Sequence, residues 1–170
     1  MSGKSTTAPG RNLASRLLRC VGPLGVALLL ACGGPWGPFP GGALSGEEHP
    51  YPAHGFEFAA DAETVAVEVG GESPRSVQTW VLVLDGQLFV PADFFNPGKR
   101  WPHQAIADPR ARLRIEDRIH AGRLTRIQDP TTIDALRRAT SVKYDVDEDS
   151  WAARIEVWWF RFDPPSDAAP

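Results

Sequence analysis

Residues Thr79–Val90, TWVLVLDGQLFV, decide the fold of this 170-residue chain. Apolar and β-branched residues flank Asp85-Gly86, a pair that tolerates the positive φ angles of a two-residue hairpin turn. The stretch therefore predicts two antiparallel strands, Val77–Leu84 and Gln87–Val90, joined by a tight turn. A loop is expected to follow over Pro91–Gly98.

Further apolar runs on both sides of this hairpin extend the same pattern. They predict four more strands, over Thr64–Val69, Ala111–Glu116, Ile119–Gln128 and Arg154–Phe162. A short helix is expected over Trp101–Ala107, and Asp129-Pro130 predicts the start of a second helix that runs to about Ala139. Six strands and two short helices indicate a mainly β, six-stranded antiparallel barrel, closed or partly open.

The N-terminus has the pattern of a bacterial lipoprotein signal. Four basic residues and no acidic ones accompany an apolar run of eleven residues, Val21–Ala31, which is too short to span a bilayer. Leu29-Leu30-Ala31-Cys32 resembles a lipobox, so residues 1–31 are predicted to be removed and the Cys32 thiol to carry a diacylglycerol. An ordinary secretory signal, or a short buried helix, with Cys32 unmodified remains the alternative.

Removal of residues 1–31 would leave 139 residues, enough for one domain with a sizeable core, and would take the net charge from −3 to −7. That acidic balance predicts no binding to nucleic acid, so lipid would provide the contact with the membrane. With Cys32 as the one remaining cysteine, no disulfide is expected. The expected location is the bacterial cell envelope, on the periplasmic or extracellular face. Because Gly33 and not Asp follows Cys32, the outer membrane is favoured over the inner one.

Composition divides the rest of the chain into three parts. Residues 32–55 are rich in Gly and Pro and are expected to form a tether, 56–164 the β-barrel domain, and 165–170 a disordered tail. Within the tether, Trp36, Phe39 and Leu44 are costly to leave in water. The portion from Phe39 to Leu44 is therefore expected to pack on the domain.

Three features carry a resemblance to a known family. They are the hairpin Thr79–Val90, the segment Gly98–Ile115 (GKRWPHQAIADPRARLRI), and the strand and helix that lead to Lys143-Tyr144. In this order, over about Ser76 to Phe162, they resemble the flavin-binding split-barrel superfamily, with its pyridoxamine-phosphate-oxidase-like and deazaflavin-dependent nitroreductase-like members. The resemblance implies a six-stranded split barrel, a two-fold homodimer and an FMN or deazaflavin cofactor.

The same resemblance implies a site for the cofactor phosphate beside the barrel. Carried onto this chain, it names Lys99 and Arg100, with Arg75, Gln78 and Thr79 nearby, and Trp101 as a wall or stacking partner. Arg and Lys suit this role because charge-assisted hydrogen bonds hold phosphate strongly. The alternatives are a solvated loop for the basic pair, and hydrogen bonds along the strand edge for Arg75, Gln78 and Thr79.

No motif in the sequence identifies catalytic residues. It contains no Ser-His-Asp, paired-carboxylate or glycine-rich nucleotide motif, and no two histidines have helical metal-ligand spacing, so no metal site is predicted. The alternating Asp145, Asp147 and Asp149 are interpreted as a solvated turn and not a calcium loop, since the required glycine is missing. In the consecutive Trp158-Trp159-Phe160, one side is expected to enter the barrel and the other to meet a helix, the tether or a second subunit.

Two functions remain open at this point. The first is a lipid-anchored envelope protein whose split barrel binds a flavin- or deazaflavin-type ligand, as an oxidoreductase of unknown substrate. The second is a non-catalytic envelope lipoprotein that uses the barrel for binding or structural interaction, with no cofactor. Redox chemistry in the first case would come from the bound cofactor.

Overall fold

The computed structural model describes residues 34–37, 39–147 and 155–166. The predicted signal segment 1–31, the predicted lipid attachment at Cys32, and residues 167–170 of the predicted tail lie outside these ranges. Among the described residues, no helix combines the length and the apolar character needed to cross a membrane.

Within these ranges the chain forms a mainly β fold with two helices. The strands are β1 (Glu48–His49), β2 (Thr64–Val69), β3 (Arg75–Trp80), β4 (Leu82–Leu84), β5 (Gln87–Asp93), β6 (Arg110–Ile115), β7 (Arg118–Ile127) and β8 (Val157–Asp163). The helices are α1 (Trp101–Ala107) and α2 (Pro130–Tyr144). The sheet has the order β3-β2-β6-β7-β8-β5-β4, is antiparallel along this path, and is not closed, while β1 pairs with β7 in parallel. The fold class is confirmed, but the count of six strands is wrong because the sheet has eight.

The hairpin forms as predicted. Asp85 and Gly86 have φ angles of 51° and 73°, and Leu82 pairs with Phe89 across the turn. Strand β5 continues through Pro91, which pairs with Trp159, so the predicted loop is wrong over its first three residues. The carbonyl of Pro91 faces β3 and not β8, and the missing N–H therefore removes no bond from the β5–β8 ladder.

The predicted strand Val77–Leu84 is interrupted at Val81, which is one reason for the higher strand count. The N–H of Val81 donates to the Tyr144 hydroxyl at 3.0 Å, and its carbonyl accepts from Lys143 Nζ at 3.0 Å. Side chains from the end of α2 thus satisfy backbone groups that a neighbouring strand would otherwise pair. Helix α2 begins at Pro130, as predicted, and its cap Asp129 accepts from Thr132 N–H at 2.8 Å, but the helix extends to Tyr144 and not only to about Ala139.

Part of the Gly/Pro-rich segment packs on the sheet. Gly41 and Ser76 exchange two backbone hydrogen bonds of 2.8 and 3.1 Å, and β1 adds the other additional strand. Leu44 is 3% exposed, as expected, and packs with Ala66 and Ile119. In contrast, Phe39 is 62% exposed, so the expectation that it packs on the domain is wrong.

A partly buried ion pair holds this segment in place. Glu68 of β2 accepts a hydrogen bond from Leu44 N–H and one of 3.2 Å from Arg112 Nη1. Arg112 also donates to the Leu44 carbonyl at 3.1 Å and lies 3.4 Å from Glu48. One carboxylate and one guanidinium therefore tie residues 44–48 to β2 and β6.

The apolar core lies on both sides of β8. Phe160 and Phe162 join the main core with Phe56 and Trp101, whereas Trp159 packs in a second cluster with Leu136 of α2. The prediction that the consecutive aromatics face the barrel on one side and a helix on the other is confirmed. Trp101 of α1 thereby anchors the start of that helix to the barrel interior.

Candidate functional site

A cleft of about 410 Å³ opens between β3 and the beginning of α1. Five of the six predicted site residues line it: Arg75, Gln78, Lys99, Arg100 and Trp101. The sixth, Thr79, does not. Additional walls come from Pro40 of the N-terminal segment and from Gln104 of α1. The structure thus brings together most of the residues that the sequence places far apart.

A tight turn before α1 positions the basic pair. Asn96 Oδ1 accepts from Gly98 N–H at 2.9 Å, and Lys99 N–H donates to the Asn96 carbonyl at 3.1 Å. Helix α1 then begins at Trp101, with Pro102 in its first turn, where a missing N–H removes no helical bond. The pair Lys99-Arg100 is therefore presented from a fixed turn and not from a long loop.

The three basic side chains of the cleft differ in whether they already form an ion pair within the protein. Lys99 Nζ lies 2.9 Å from Asp93 Oδ2, and its side chain is 23% exposed. Arg75 and Arg100 are exposed, and neither forms an ion pair or a hydrogen bond through its side chain with another described residue. The free positive charge of the cleft therefore comes from the two arginines.

Trp101 forms the floor of the cleft. Its side chain is 5% exposed, and its ring packs tilted against Phe160 at a centroid distance of 5.4 Å. So little of the indole is accessible that a ligand could not lie along its full face. Of the two predicted roles for Trp101, the geometry corresponds to the wall and not to the stacking platform.

Gln78 and Thr79 are adjacent on β3 and point to opposite sides of it. Gln78 Nε2 donates to Thr64 Oγ1 at 2.7 Å at the edge of the cleft, and Thr79 Oγ1 donates to the Pro91 carbonyl at 2.9 Å. Thr79 instead lines a separate cavity of about 220 Å³ with Phe95 and other residues. Both polar side chains make the strand-edge bonds that the sequence left open as an alternative.

Gln104 is a site residue that the sequence analysis missed. Its Oε1 atom is buried and has no hydrogen-bond partner among the described residues, and the side chain lines the cleft. Residues three apart share a helix face, so Trp101 could have identified Gln104 as its neighbour on α1. A buried acceptor without a donor suits a ligand that supplies an N–H or O–H group.

An aromatic ledge, formed by Phe94, Trp158 and His103 of α1, lies outside the cleft. The Trp158 ring is 4.8 Å from Phe94 and 4.9 Å from His103, in edge-to-face contacts. Arg126 covers the Trp158 ring at 3.8 Å. His103 is exposed here and does not line the cleft, and Phe95, 72% exposed, borders the ledge.

Lys143 and Tyr144, the last feature of the sequence resemblance, are not in the cleft. Lys143 Nζ donates to three carbonyls, those of Ala60, Ala62 and Val81, at 2.7 to 3.0 Å. Burial lowers the pKa of Lys143 and raises the pKa of Tyr144, because each loses water around its charged form. We call this pair and Val81 the α2 clamp, and its donors hold backbone and not ligand.

The structure gives no candidate metal centre in the part of the chain it describes: no three His, Cys, Asp or Glu side chains there are grouped to hold an ion. Asp149, one member of the acidic turn considered above, lies outside the described residues.

Several solved structures have a backbone arrangement similar to that of this chain. A putative pyridoxamine 5′-phosphate oxidase from Listeria innocua is 13% identical with a TM-score of 0.48, over 62% of this chain and 86% of its own. A NimC/NimA family protein from Clostridium acetobutylicum is 16% identical, with a TM-score of 0.45 over 61% and 76%. An FAD-binding protein from Mesorhizobium loti is 15% identical, with a TM-score of 0.45 over 61% and 82%.

At such identities the likeness concerns the arrangement of the chain, and no ligand or activity is transferred from it. No protein-family model matches the sequence, and neither does any curated protein.

Proposed function

We propose that this chain is a lipid-anchored envelope protein whose barrel binds a phosphate-bearing flavin- or deazaflavin-type ligand in the cleft. The observation that carries the proposal is the meeting of two unpaired arginines, Arg75 and Arg100, with the unpartnered acceptor of Gln104 over the Trp101 floor. The arginines would hold the phosphate through charge-assisted, bidentate hydrogen bonds. Gln104 would accept from a donor elsewhere on the ligand.

If the protein is an oxidoreductase, the ligand supplies the hydride chemistry and the chain binds and orients it. The residues of the cleft suit binding and orientation of such a ligand, because they offer cationic donors and a buried acceptor beside an apolar wall. No side chain of the cleft is assigned a catalytic role.

One observation favours the second function, a non-catalytic binding or structural protein. Lys99 is paired with Asp93, and Gln78 is bonded to Thr64, so two of the polar groups expected to hold phosphate are already engaged. A barrel with only two free arginines in its cleft could bind a simpler anionic ligand, or a protein surface, without a cofactor.

Titration of FMN and of a deazaflavin cofactor separates the two functions. We expect binding to wild type, weakened binding to the double variant Arg75→Ala/Arg100→Ala, and wild-type binding to Arg138→Ala. Arg138 is a matched control because it is exposed on α2, away from the cleft. Absence of binding by wild type at millimolar ligand would favour the non-catalytic function.

Lipid attachment at Cys32 is part of the same proposal, and it is supported by the basic, apolar and lipobox pattern of residues 1–32. A diacylglycerol supplies two acyl chains, which is enough for stable anchoring. Mass spectrometry of the wild type should detect the lipid on Cys32, and Cys32→Ser should leave the membrane fraction or remain unprocessed. Equal fractionation and processing of the two proteins, with no lipid mass, would contradict it.

We also propose that the protein forms a homodimer through the surface around the aromatic ledge. Phe95 is 72% exposed beside the ledge, and Ile106 of α1 is 50% exposed. Exposed aromatic clusters of this kind mark protein–protein contacts. Sedimentation of the detergent-solubilised protein should give a dimer at micromolar concentration, and Phe95→Ser should shift it toward monomer.

A further inference from the structure

Two aromatic side chains of the N-terminal segment form an exposed tip. Trp36 is 78% exposed and Phe39 62% exposed. Two backbone hydrogen bonds of 3.1 Å join these residues across a tight turn in which Gly37 has a φ of 55°. Their rings stack with an interplanar angle of 10° and centroids 6.4 Å apart. We call this pair the aromatic tip.

Contacts on both sides of the aromatic tip hold it against the barrel. On the N-terminal side, Gly34 packs so closely on Arg114 that an added Cβ would lie 2.7 Å from its Nη2 atom. On the C-terminal side, Pro40 lines the cleft and Gly41 pairs with Ser76 of β3. The two rings are therefore presented at a defined place on the surface and are not on a free chain.

The chain just before the aromatic tip carries the elements predicted to associate with lipid. Cys32 precedes Gly34 by two residues, a distance that an extended chain spans in at most about 7 Å. The apolar run Val21–Ala31 precedes Cys32 directly. Trp36 follows Cys32 by four residues, so the tip lies within about 14 Å of Cys32 along the chain.

The chemistry of the tip suits the boundary between headgroups and acyl chains. Residues 32–46 contain no charged side chain, so no carboxylate or ammonium must be dehydrated when the tip enters the bilayer. Tryptophan is enriched at this boundary because its ring is apolar and its N–H still finds a polar partner. Arg75, which lines the cleft together with Pro40, adds a cation close to the tip that lipid phosphate would attract.

We propose that Trp36 and Phe39 insert into the interfacial layer of a phospholipid bilayer and set the orientation of the barrel on it. Because Pro40 follows Phe39 and forms part of the cleft wall, this orientation places the mouth of the cleft beside the membrane surface. The proposal rests on the membrane attachment in the proposed function, and the experiment below separates the two.

The test uses the full-length protein, as processed by its host, reconstituted into phosphatidylcholine vesicles with or without bromine on the acyl chains near the headgroup. Bromine quenches nearby indoles, and the Trp36 signal is the difference between wild type and Trp36→Phe. We expect quenching of that difference signal by brominated lipid, and its loss in Phe39→Ala by disruption of the tip. Val142→Ala is the control, an exposed apolar residue on α2 away from the tip, and should leave the quenching unchanged.

Flotation of the same vesicles distinguishes the two failures. Protein that floats with the vesicles but shows no quenching of Trp36 overturns the aromatic tip and leaves the anchor intact. Cys32→Ser protein that has lost residues 1–31, and so carries neither the apolar run nor a lipid, but still floats with Trp36 quenched, overturns the lipid anchor and supports the tip. Protein that neither floats nor is quenched overturns both.

Discussion

The α2 clamp and the cleft use positive charge in opposite ways. In the clamp, Lys143 donates all three of its protons to carbonyls, and the neighbouring Tyr144 hydroxyl is bonded to Val81. In the cleft, Arg75 and Arg100 make no side-chain bond to any other described residue. A basic side chain whose donors are all occupied holds the fold, whereas one with open donors is available to a ligand.

Lys99 lies between these two extremes. It is in the cleft, but its Nζ is held 2.9 Å from Asp93, so its charge is partly neutralised before any ligand arrives. The basic residues can therefore be ordered by how much of their charge and how many of their donors remain open to a ligand, from Lys143 through Lys99 to Arg100. Each of the following predictions changes one of these basic residues, its partner or its protonation.

The largest effect is expected from removing the α2 clamp. The double variant Lys143→Met/Tyr144→Phe leaves the N–H and carbonyl of Val81 without their partners. Since each unsatisfied backbone group costs about 1–3 kcal/mol, the free energy of unfolding should fall on the order of 3 kcal/mol. Urea denaturation measures this, with Val142→Ala, which is 85% exposed on the same helix, as a control expected to change little. Equal stability of double variant and wild type would contradict the assignment.

Arg100→Ala should have the reverse profile, with a loss of binding and almost no loss of stability. Charge-assisted hydrogen bonds contribute about 1.5–3 kcal/mol, so FMN or deazaflavin affinity should fall roughly tenfold to a hundredfold. Arg100→Lys should lose less, because it keeps the charge while losing the planar fork. Titration calorimetry beside thermal denaturation checks both halves. A large drop in ligand-free stability would place Arg100 with the clamp and not with the cleft.

Asp93→Asn should move Lys99 toward the behaviour of Arg100. Without the carboxylate, Lys99 Nζ regains donors that can turn to a phosphate. Partly exposed ion pairs contribute about 0.2–1 kcal/mol, so anion affinity should rise by a factor between about 1.4 and 5. The double variant Asp93→Asn/Lys99→Met should cancel the gain, and a gain that persists without Lys99 would show that the carboxylate acts by general repulsion.

The smallest effect is expected from the pH dependence of the clamp. Burial lowers the pKa of Lys143 in the native state below the ordinary 10.5. At a pH between the lowered pKa and 10.5, the unfolded chain therefore holds a proton that the native chain has lost. Stability should therefore rise with pH in that window. Tyr144, with a pKa raised above 10.0, stays protonated in the native state, so its contribution falls as pH rises through and above 10. Differences between wild type and each single variant, Lys143→Met and Tyr144→Phe, separate the two slopes.

Local signals in the sequence were enough to predict the hairpin and the helix starts. Asp85-Gly86 and Asp129-Pro130 act within a few residues, so the turn and the helix start could be predicted without knowledge of the rest of the chain. The interruption at Val81 could not, because its cause is the pair Lys143 and Tyr144, which lies far along the sequence. The strand count was wrong partly for that reason, and partly because the Gly/Pro-rich segment contributes β1.

The candidate site was predicted in the same uneven way. Lys99, Arg100 and Trp101 are adjacent in the chain and were found through the resemblance, and Gln104 lay within reach of simple helix spacing. Two details of the site depend on how β3, β5 and the following turn pack, and could not be predicted from local sequence. They are the pairing of Lys99 with Asp93 and the orientation of Thr79 away from the cleft. The prediction that Phe39 packs on the domain was wrong because it rested on the apolar character of the residue alone. That character does not determine whether the ring packs on the domain or lies at its surface.

The order of strands in the sheet bears on how the chain can fold while it is being made. Strand β5 pairs on one side with β4, its neighbour in the hairpin, but on the other with β8, at the end of the described chain. Strand β7 likewise gains β8 as a partner only then. A nascent chain that has reached the end of α2 therefore still lacks the strand that joins the two halves of the sheet. Folding should accelerate sharply once β8 is released, and a chain that is shortened before Val157 should remain unfolded and open to proteases.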